Sequence, residues 1–246
     1  MLPRFYAPHI AAGLATVTLP GDEARHLTRV LRLGAGDEVA VFDGRGAEFR
    51  AVVEVAVRDT ASLRLVAALP ATPAPSIRVV VAQSVLKGSS MDEAIRDATM
   101  MGAEAIDPVL TAHSDVKASF ARRAGTVDRW RRVALASVKQ SRRATLPVIS
   151  EPRNLEAWLQ SSSSDLRLLF IEPSSGATAR PMHTLLTEDR PGRVSVLLGP
   201  EGGWAREEID AAIRSGSVPV TLGPLTLRAE SMPVAALAAI AALWQR

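Results

Sequence analysis

The feature that most restricts the fold is a change in hydrophobic pattern at Ile77. From there the chain carries short continuous apolar runs, which are typical of strands covered on both faces: "IRVVVAQ", "LRLLFIE", "VSVLLG" and "VPVTLG". Helix-like stretches separate them: "MDEAIRDATMMG", "VDRWRRVALASVKQS", "LEAWLQS" and "REEIDAAIRSG". Strands alternating with helices predict an α/β fold, a mostly parallel sheet with helices on both faces.

The chain before this change follows a different pattern. Residues 1–69 contain short apolar or alternating runs, and "DGRG" at Asp43–Gly46 is a hairpin turn signal. Only "GDEARHLTRVLRL" resembles a helix there, with Ala24, Leu27, Val30 and Leu31 expected on one buried face. We therefore predict a small β-barrel-like domain over 1–69, a proline-rich linker over 70–76 and the α/β domain over 77–246.

Three of the predicted strands end in loops rich in glycine and proline: "FIEPSSG", "LLGPEGG" and "TLGPLTLR". In open α/β sheets, ligands bind beyond the carboxyl ends of the strands. We therefore expect the loops to form a pocket, although simple turns are the alternative. No P-loop lysine or dinucleotide fingerprint accompanies them. The four histidines have no metal-ligand spacing, so no metal is predicted.

The C-terminal segment begins with Arg228 and Glu230 and continues as a helix that is apolar all round. Pro233 suits the first turn of such a helix, and Ser231 or Glu230 can cap it. A helix of this kind is expected in the core or in a subunit interface. Arg228 and Glu230 then form either a structural salt bridge or a site where Arg228 meets an anionic or electron-rich group, which we prefer.

Charge is distributed unevenly along the 246 residues. Between Lys117 and Arg143 there are nine basic residues and one acidic residue, whereas the net charge of the chain is only +3. Such a basic block predicts contact with a polyanion, although a solvated helix face is the alternative. No apolar run is long enough to cross a membrane, and no cysteine is present. We expect a soluble cytoplasmic protein.

Two C-terminal segments, "LLGPEGGW" and "LGPLTLRAES", resemble signatures of the RsmE family. That family belongs to the SPOUT class and transfers a methyl group to N3 of a uridine, U1498, in 16S ribosomal RNA. Further matches follow in order along the chain: "RFY", "HLTRVLRLGAGDEVAVFDGRG", "LKGSSMDEAIRDATMMGAEAIDPVLTAHS" and "RWRRVALASVKQSRRATLPVI". The resemblance implies an N-terminal PUA-like RNA-binding domain, a C-terminal domain with a trefoil knot, and a homodimer that acts on the small ribosomal subunit.

The resemblance also implies where the cofactor, S-adenosylmethionine, and the RNA bind. The implied cofactor-binding residues lie in the three loops: Phe170, Ile171, Glu172, Pro173, Leu198, Gly199, Pro200, Glu201, Gly202, Gly203, Leu222, Gly223, Leu225, Leu227 and Arg228. Their glycines are expected to let the backbone approach the cofactor. The expected RNA contacts are Arg4, His26, Arg29, Arg32, Lys87, Arg129, Arg132, Lys139, Gln140, Arg142 and Arg143.

Arg228 is the candidate catalytic residue, because it can stabilise negative charge on the uracil ring. Glu230 is expected to orient Arg228 or to cap the helix. The sequence departs from the family pattern at Asp97, Met100, Arg142 and Leu225. Two other functions therefore remain open: a SPOUT enzyme that acts on a different RNA or on ribose, and a non-catalytic RNA-binding paralogue.

Overall fold

The computed structural model describes residues 2–10, 13–187 and 190–244. The chain divides into two compact units. The first contains Met1–Ala74 and Val138–Leu146, and the second contains Pro75–Ser137 and Pro147–Arg246. The sequence patterns gave no sign that the segment Val138–Leu146 belongs with the N-terminal residues.

The first unit is built on a five-stranded mixed sheet in the order β1-β3-β4-β5-β2. Only β1 and β3 pair in parallel, and the other neighbours are antiparallel. The "DGRG" turn joins β3 to β4 as predicted, and the Asp43 carboxylate accepts the N–H groups of Arg45 and Ala47. The elements are β1 Arg4–Tyr6, β2 Thr16–Thr18, α1 Gly21–Arg25, a π-helical turn His26–Val30, β3 Glu38–Phe42, β4 Glu48–Val57 and β5 Thr60–Ala68.

Of the four residues expected on the buried face of the N-terminal helix, only two are buried. Ala24 and Leu27 are buried, but Val30 and Leu31 are exposed at 64% and 41%. The cause is the π-helical turn, in which the N–H of Leu31 donates to the carbonyl of His26 five residues earlier. This wider turn rotates the last residues away from the face that a regular α-helix would bury.

The second unit contains an eight-stranded sheet in the order β11-β13-β10-β12-β6-β7-β8, with β9 also paired to β7. All of these pairings are parallel, so the predicted fold class is confirmed. Its strands are β6 Arg78–Ser84, β7 Ala105–Leu110, β8 Val148–Ile149, β9 Arg153–Asn154, β10 Leu166–Phe170, β11 Arg180–Pro181, β12 Arg193–Leu198 and β13 Val218–Thr221.

Helices cover both faces of this sheet. One buried cluster combines Val196 of β12 with residues of α2, α4 and α7, and the other combines Leu197 of the same strand with residues of α5 and α6. The helices are α2 Ser89–Met100, α3 Ala118–Ala121, α4 Thr126–Ser141, α5 Leu155–Ser161, α6 Arg206–Arg214 and α7 Met232–Trp244. Short 3-10 turns lie at Pro173–Ser175, Met182–Thr187 and Ala229–Ser231.

Helix α7 buries only part of its apolar surface. Ala236, Leu237 and Ile240 are in the core, whereas Val234, Ala238 and Ala242 are exposed and follow one another at four-residue spacing. A row of exposed small apolar residues therefore runs along one side of the helix.

Arg4 attaches the segment Val138–Leu146 to the first unit. Its guanidinium donates to both carboxylate oxygens of Glu48 at 2.8 and 3.0 Å. It also donates to the backbone carbonyls of Val138, Lys139 and Arg143 at 2.9–3.3 Å. The side chain is only 7% exposed. The donors of Arg4 thus serve this internal network, and its expected contact with RNA stays a prediction.

Lys139 has a similar structural role. Its ammonium group contacts both oxygens of the buried Glu23 carboxylate at 2.9 and 3.0 Å and lies 5.6 Å from the centre of the Phe5 ring. Glu23 also accepts the backbone N–H of Tyr6. This ion pair neutralises the Lys139 charge inside the unit. The expected RNA contact of Lys139 stays a prediction.

Replacing Arg4 with methionine is expected to lower the free energy of unfolding by about 3 kcal/mol, because Glu48 becomes a buried charge without its partner. Urea denaturation of the full chain measures this change. The matched control is Arg64→Met, since Arg64 pairs with Glu54 in solvent, and its expected cost is below about 1 kcal/mol. Equal losses in the two variants would contradict the role given to Arg4.

Candidate functional site

The three loops that follow β10, β12 and β13 surround one cavity of about 470 Å³. They meet because β13, β10 and β12 are neighbours in the sheet and run in the same direction. The cavity therefore lies at the carboxyl ends of the parallel strands, where ligands bind in folds of this class. Its lining residues are Ser90, Phe170, Ile171, Glu172, Pro173, Gly199, Pro200, Glu201, Gly203, Trp204, Thr221, Leu222, Leu225, Thr226, Leu227, Arg228, Ala229, Glu230 and Met232.

Most of the residues predicted to bind a cofactor line this cavity, and three do not. Leu198 is fully buried in the core. Gly202 lies against His113, because a Cβ there would be 3.0 Å from both the Cβ and the carbonyl oxygen of that residue. Gly223 is also outside the lining, although its loop contributes Leu222 and Leu225.

Sequence reasoning missed several lining residues. Ser90 comes from the beginning of α2, and nothing in its local pattern connects it with loops more than 80 positions away. Trp204 could have been predicted from the sequence, since it directly follows the "GPEGG" stretch. The remaining missed residues are Thr221, Thr226, Ala229 and Met232.

Packing at Gly199 and backbone conformation at Gly203 explain why these positions are glycines, without any ligand. A Cβ on Gly199 would lie 3.0 Å from Nε1 and 3.2 Å from Cε2 of Trp204. Gly203 has a φ of +71°, which favours glycine. Gly199 thus makes room for the indole and Gly203 forms the turn, and close approach of a cofactor to their backbone stays a prediction.

Trp204 connects two walls of the cavity. Its indole N–H donates to the Phe170 carbonyl at 2.9 Å, which joins the loop after β12 to the last residue of β10. Gln83, buried at the end of β6, donates weakly to the Gly199 carbonyl at 3.5 Å. Glu201 accepts the backbone N–H of Lys87 at 3.1 Å, which ties the same loop to the segment before α2. These bonds hold the "GPEGG" loop from three sides.

Arg228 and Glu230 lie together at the cavity. The guanidinium and the carboxylate are 3.7 Å apart, and their side chains are 86% and 16% exposed. An ion pair with so exposed a partner contributes little to stability. The guanidinium therefore lies beside Glu230 at the cavity and remains accessible to a ligand.

The expected RNA contacts on the first unit differ in exposure. Arg29, Arg32, Gln140 and Arg142 are exposed, while His26 is half-buried with its ring against Phe5. Arg29 also pairs with Asp59 at 3.0 Å. Arg143 is half-buried, and burial lowers the pKa of its guanidinium from the usual value.

Arg32 and Arg142 adopt left-handed backbone conformations, with φ of 55° and 63°. Such conformations are uncommon for residues other than glycine and concentrate at functional positions. This is a second reason, besides charge and exposure, to consider both as ligand contacts.

On the second unit, the predicted RNA contacts Lys87, Arg129 and Arg132 are all exposed. Arg129 pairs with Asp92, and Arg132 donates to the backbone carbonyl of Asp128 in the preceding turn of α4. Neither interaction buries the guanidinium, so each can also contact a phosphate.

Within residues 2–10, 13–187 and 190–244, no group of three or more histidine, aspartate or glutamate side chains is arranged to hold a metal ion. No helix of the described chain has the length and apolar character needed to span a membrane.

Two family models match the chain. The RNA methyltransferase domain matches residues 72–241, and the RNA methyltransferase PUA domain matches residues 19–66. Together with the parallel sheet and its strand-end cavity, these matches define an RNA methyltransferase of the SPOUT type with an N-terminal PUA domain.

Individual relatives specify the family. "Ribosomal RNA small subunit methyltransferase E" of Synechocystis sp. is 36% identical over 93% of this chain and 74% of that protein. Its Mycobacterium bovis namesake is 31% identical over 98% and 92%. The crystal structure of the Neisseria gonorrhoeae protein of that name, bound to S-adenosyl methionine, superposes with a TM-score of 0.88 at 29% identity over 99% and 98% of the two chains. The chain belongs to the ribosomal RNA small subunit methyltransferase E family, RsmE, as its motifs predict.

Replacing Gly199 with alanine is expected to displace the Trp204 indole and break its bond to Phe170. Overpacking of this kind costs about 2 kcal/mol, which calorimetric unfolding of the full chain detects. Gly34→Ala is the control, because a Cβ on Gly34 meets nothing within 4 Å. If the Gly199 variant is as stable as the control, the position of the Trp204 indole is not important for stability.

Proposed function

We propose that this protein transfers a methyl group from S-adenosylmethionine to N3 of a single uridine in 16S rRNA of the small ribosomal subunit, at the position that the family knows as U1498. The observation that carries the proposal is the cavity formed by the loops after β10, β12 and β13, with an exposed arginine at its edge. Membership of the RsmE family supports 16S rRNA as the substrate.

The cavity suits the proposed cofactor. Its volume of about 470 Å³ falls in the ordinary range for small-molecule sites, roughly 300–1,000 Å³. Phe170, Ile171, Leu222, Leu225 and Leu227 supply apolar surface for an adenine ring, and the loops supply backbone donors and acceptors. When bound, S-adenosylmethionine supplies an electrophilic methyl group on a sulfonium.

The chemistry at N3 creates negative charge that the protein must stabilise. N3 of uridine carries a proton, and its departure leaves an anion delocalised over the ring nitrogen and the two carbonyl oxygens. Arg228 provides a permanent positive charge at the cavity, and its guanidinium lies 3.7 Å from the Glu230 carboxylate. We assign Arg228 the role of stabilising the uracil anion and Glu230 the role of positioning it.

RNA binding completes the proposal. Phosphate contacts position an RNA without reading its sequence, and enzymes that modify a base take it out of the stack. The proposed contacts with the RNA phosphates are Arg29, Arg32, Gln140 and Arg142 on the first unit and Lys87, Arg129 and Arg132 on the second. His26 and Arg143 are less exposed and are kept as secondary candidates.

The decisive experiment is methyl transfer from labelled cofactor to purified small subunits of a strain that lacks the family enzyme. Nucleoside analysis should find 3-methyluridine, and primer extension should stop at one position. Label in transfer RNA or in a ribose would instead favour a SPOUT enzyme with another substrate. RNA binding without heat from S-adenosylmethionine in calorimetry would favour a non-catalytic paralogue.

Replacing Arg228 with glutamine should lower kcat about a hundredfold, the usual effect of removing one group that stabilises developing charge. The dissociation constant of the cofactor, measured by calorimetry, should change far less. Arg214→Gln, at an exposed position on α6, serves as the control and should retain full activity. An Arg228 variant with normal kcat would remove this residue from the mechanism.

Replacing Arg32 or Arg142 with glutamine should weaken RNA binding and reduce the slope of log K against log salt by about one for each charge removed. Filter binding to a small-subunit rRNA fragment at several salt concentrations measures the slope. Arg50→Gln is the matched control, because Arg50 is part of an exposed ion pair with Glu38 on the same unit. Slopes that match the control would exclude these two arginines as phosphate contacts.

We also propose that the protein is a cytoplasmic homodimer. The support is the exposed row Val234, Ala238 and Ala242 on α7, which a second copy of the chain can cover. Sedimentation equilibrium tests this, and a monomer at micromolar concentration would contradict it.

A further inference from the structure

Two neighbouring apolar side chains lie at the surface of the first unit where its N-terminal helix ends. Val30 and Leu31 are 64% and 41% exposed, because the π-helical turn rotates them away from the buried face. Together they form a small apolar surface in contact with water, which costs free energy. Since π-helical turns also occur frequently at functional sites, these observations favour a ligand that covers the two side chains.

The π-helical turn is attached to the turn between β4 and β5. The Thr28 hydroxyl donates to the Arg58 carbonyl at 2.6 Å, and the Arg29 guanidinium donates to the Asp59 carboxylate at 3.0 Å. These two bonds place Arg58 beside the turn that carries Val30, although the two residues are far apart in the sequence.

Arginines flank the apolar pair. Arg29 precedes it and forms an ion pair with Asp59, Arg32 follows it directly, and Arg58 lies on the adjoining turn. Both Arg32 and Arg58 are exposed, and their φ angles of 55° and 50° are uncommon for residues other than glycine. Among the described residues, Arg142 alone shares this feature outside glycine, and it belongs to the same unit. Because such backbone strain concentrates at functional sites, both arginines are candidates for binding an anion.

An apolar surface between exposed arginines matches the chemistry of an unstacked nucleotide. The face of a base is apolar and meets water when the base leaves its stack, while the phosphates beside it are anionic. Proteins bind single-stranded RNA by combining contacts to base faces with cationic contacts to phosphates. A continuous duplex offers phosphates but no free base face, so it would leave Val30 and Leu31 uncovered.

This inference rests on the proposed function, which makes rRNA the ligand of the protein. We propose that the π-helical turn binds one unstacked base of that RNA, at a nucleotide other than the uridine that is methylated. Val30 and Leu31 cover the face of this base, and Arg32 and Arg58 bind the phosphates beside it. The contact adds affinity and fixes the register of the RNA, but it takes no part in the chemistry at the cavity.

The test is filter binding of the full chain to a small-subunit rRNA fragment that contains single-stranded loops, and to an RNA duplex of equal length, at several salt concentrations. The double variant Val30→Ser, Leu31→Ser should bind the fragment about tenfold more weakly at every salt concentration. The salt slope should not change, because an apolar contact releases no counterions. The affinity of this variant for the duplex should equal that of the wild type.

The single variant Arg58→Gln should behave differently. Loss of a phosphate contact should reduce the slope of log K against log salt by about one, for the fragment. A slope equal to that of the wild type would exclude Arg58 from the site.

Val66→Ser is the matched control for the apolar pair. Val66 is also exposed, at 40%, but lies near the end of β5 that is remote from the β4–β5 turn, so both affinities should remain unchanged. A double variant that binds the fragment as tightly as the wild type overturns the proposal, and so does an equal loss of affinity for the duplex. If the double variant does not fold, Leu31→Ala takes its place, with an expected loss of about threefold for the fragment alone.

Sedimentation equilibrium of the same variants separates the proposal from self-association. If the serine substitutions change the oligomeric state, a second copy of the chain covers Val30 and Leu31, and the proposal is overturned. A wild-type chain that binds neither the fragment nor the small subunit refutes the proposed function itself.

Discussion

The parallel pairing of β10 with β12 on one side and β13 on the other is the interaction on which the candidate site depends. Leu169 lies beside Leu197 in one pairing and beside Pro219 in the other. Since the three strands run in the same direction, their carboxyl ends lie next to one another, and the loops that leave them surround a common space. The buried clusters on both faces fix this register, because a shifted strand would move its apolar side chains out of them.

Packing within the protein, without any ligand, explains much of the amino-acid composition of these loops. Trp204 occupies the space beside Gly199 and bonds to the end of β10, so the wall is in place before any ligand arrives. Sites that are organised in advance lose less free energy on binding, because fewer groups have to be ordered at that moment. The indole thus prepares one wall of the cavity.

The sequence predicted the elements well wherever a short pattern determines them. Continuous apolar runs identified β6, β10, β12 and β13, and the "DGRG" turn identified the β3–β4 hairpin. The sequence did not reveal the ion pairs of Arg4 and Lys139, because charge alone does not show whether a side chain faces solvent or a buried carboxylate such as Glu48. The contribution of Ser90 and the return of Val138–Leu146 to the first unit are long-range contacts that leave no local pattern.

The placement of Val138–Leu146 limits how this polypeptide can be divided. The first compact unit is not continuous in the chain, because its last portion follows most of α4 in the sequence. A fragment that ends at Ala74 would lack the carbonyl acceptors that satisfy Arg4, and one that begins at Pro75 would carry a segment deprived of the groups that normally bury it. During synthesis on the ribosome, the N-terminal unit therefore remains incomplete until about 70 further residues have been added.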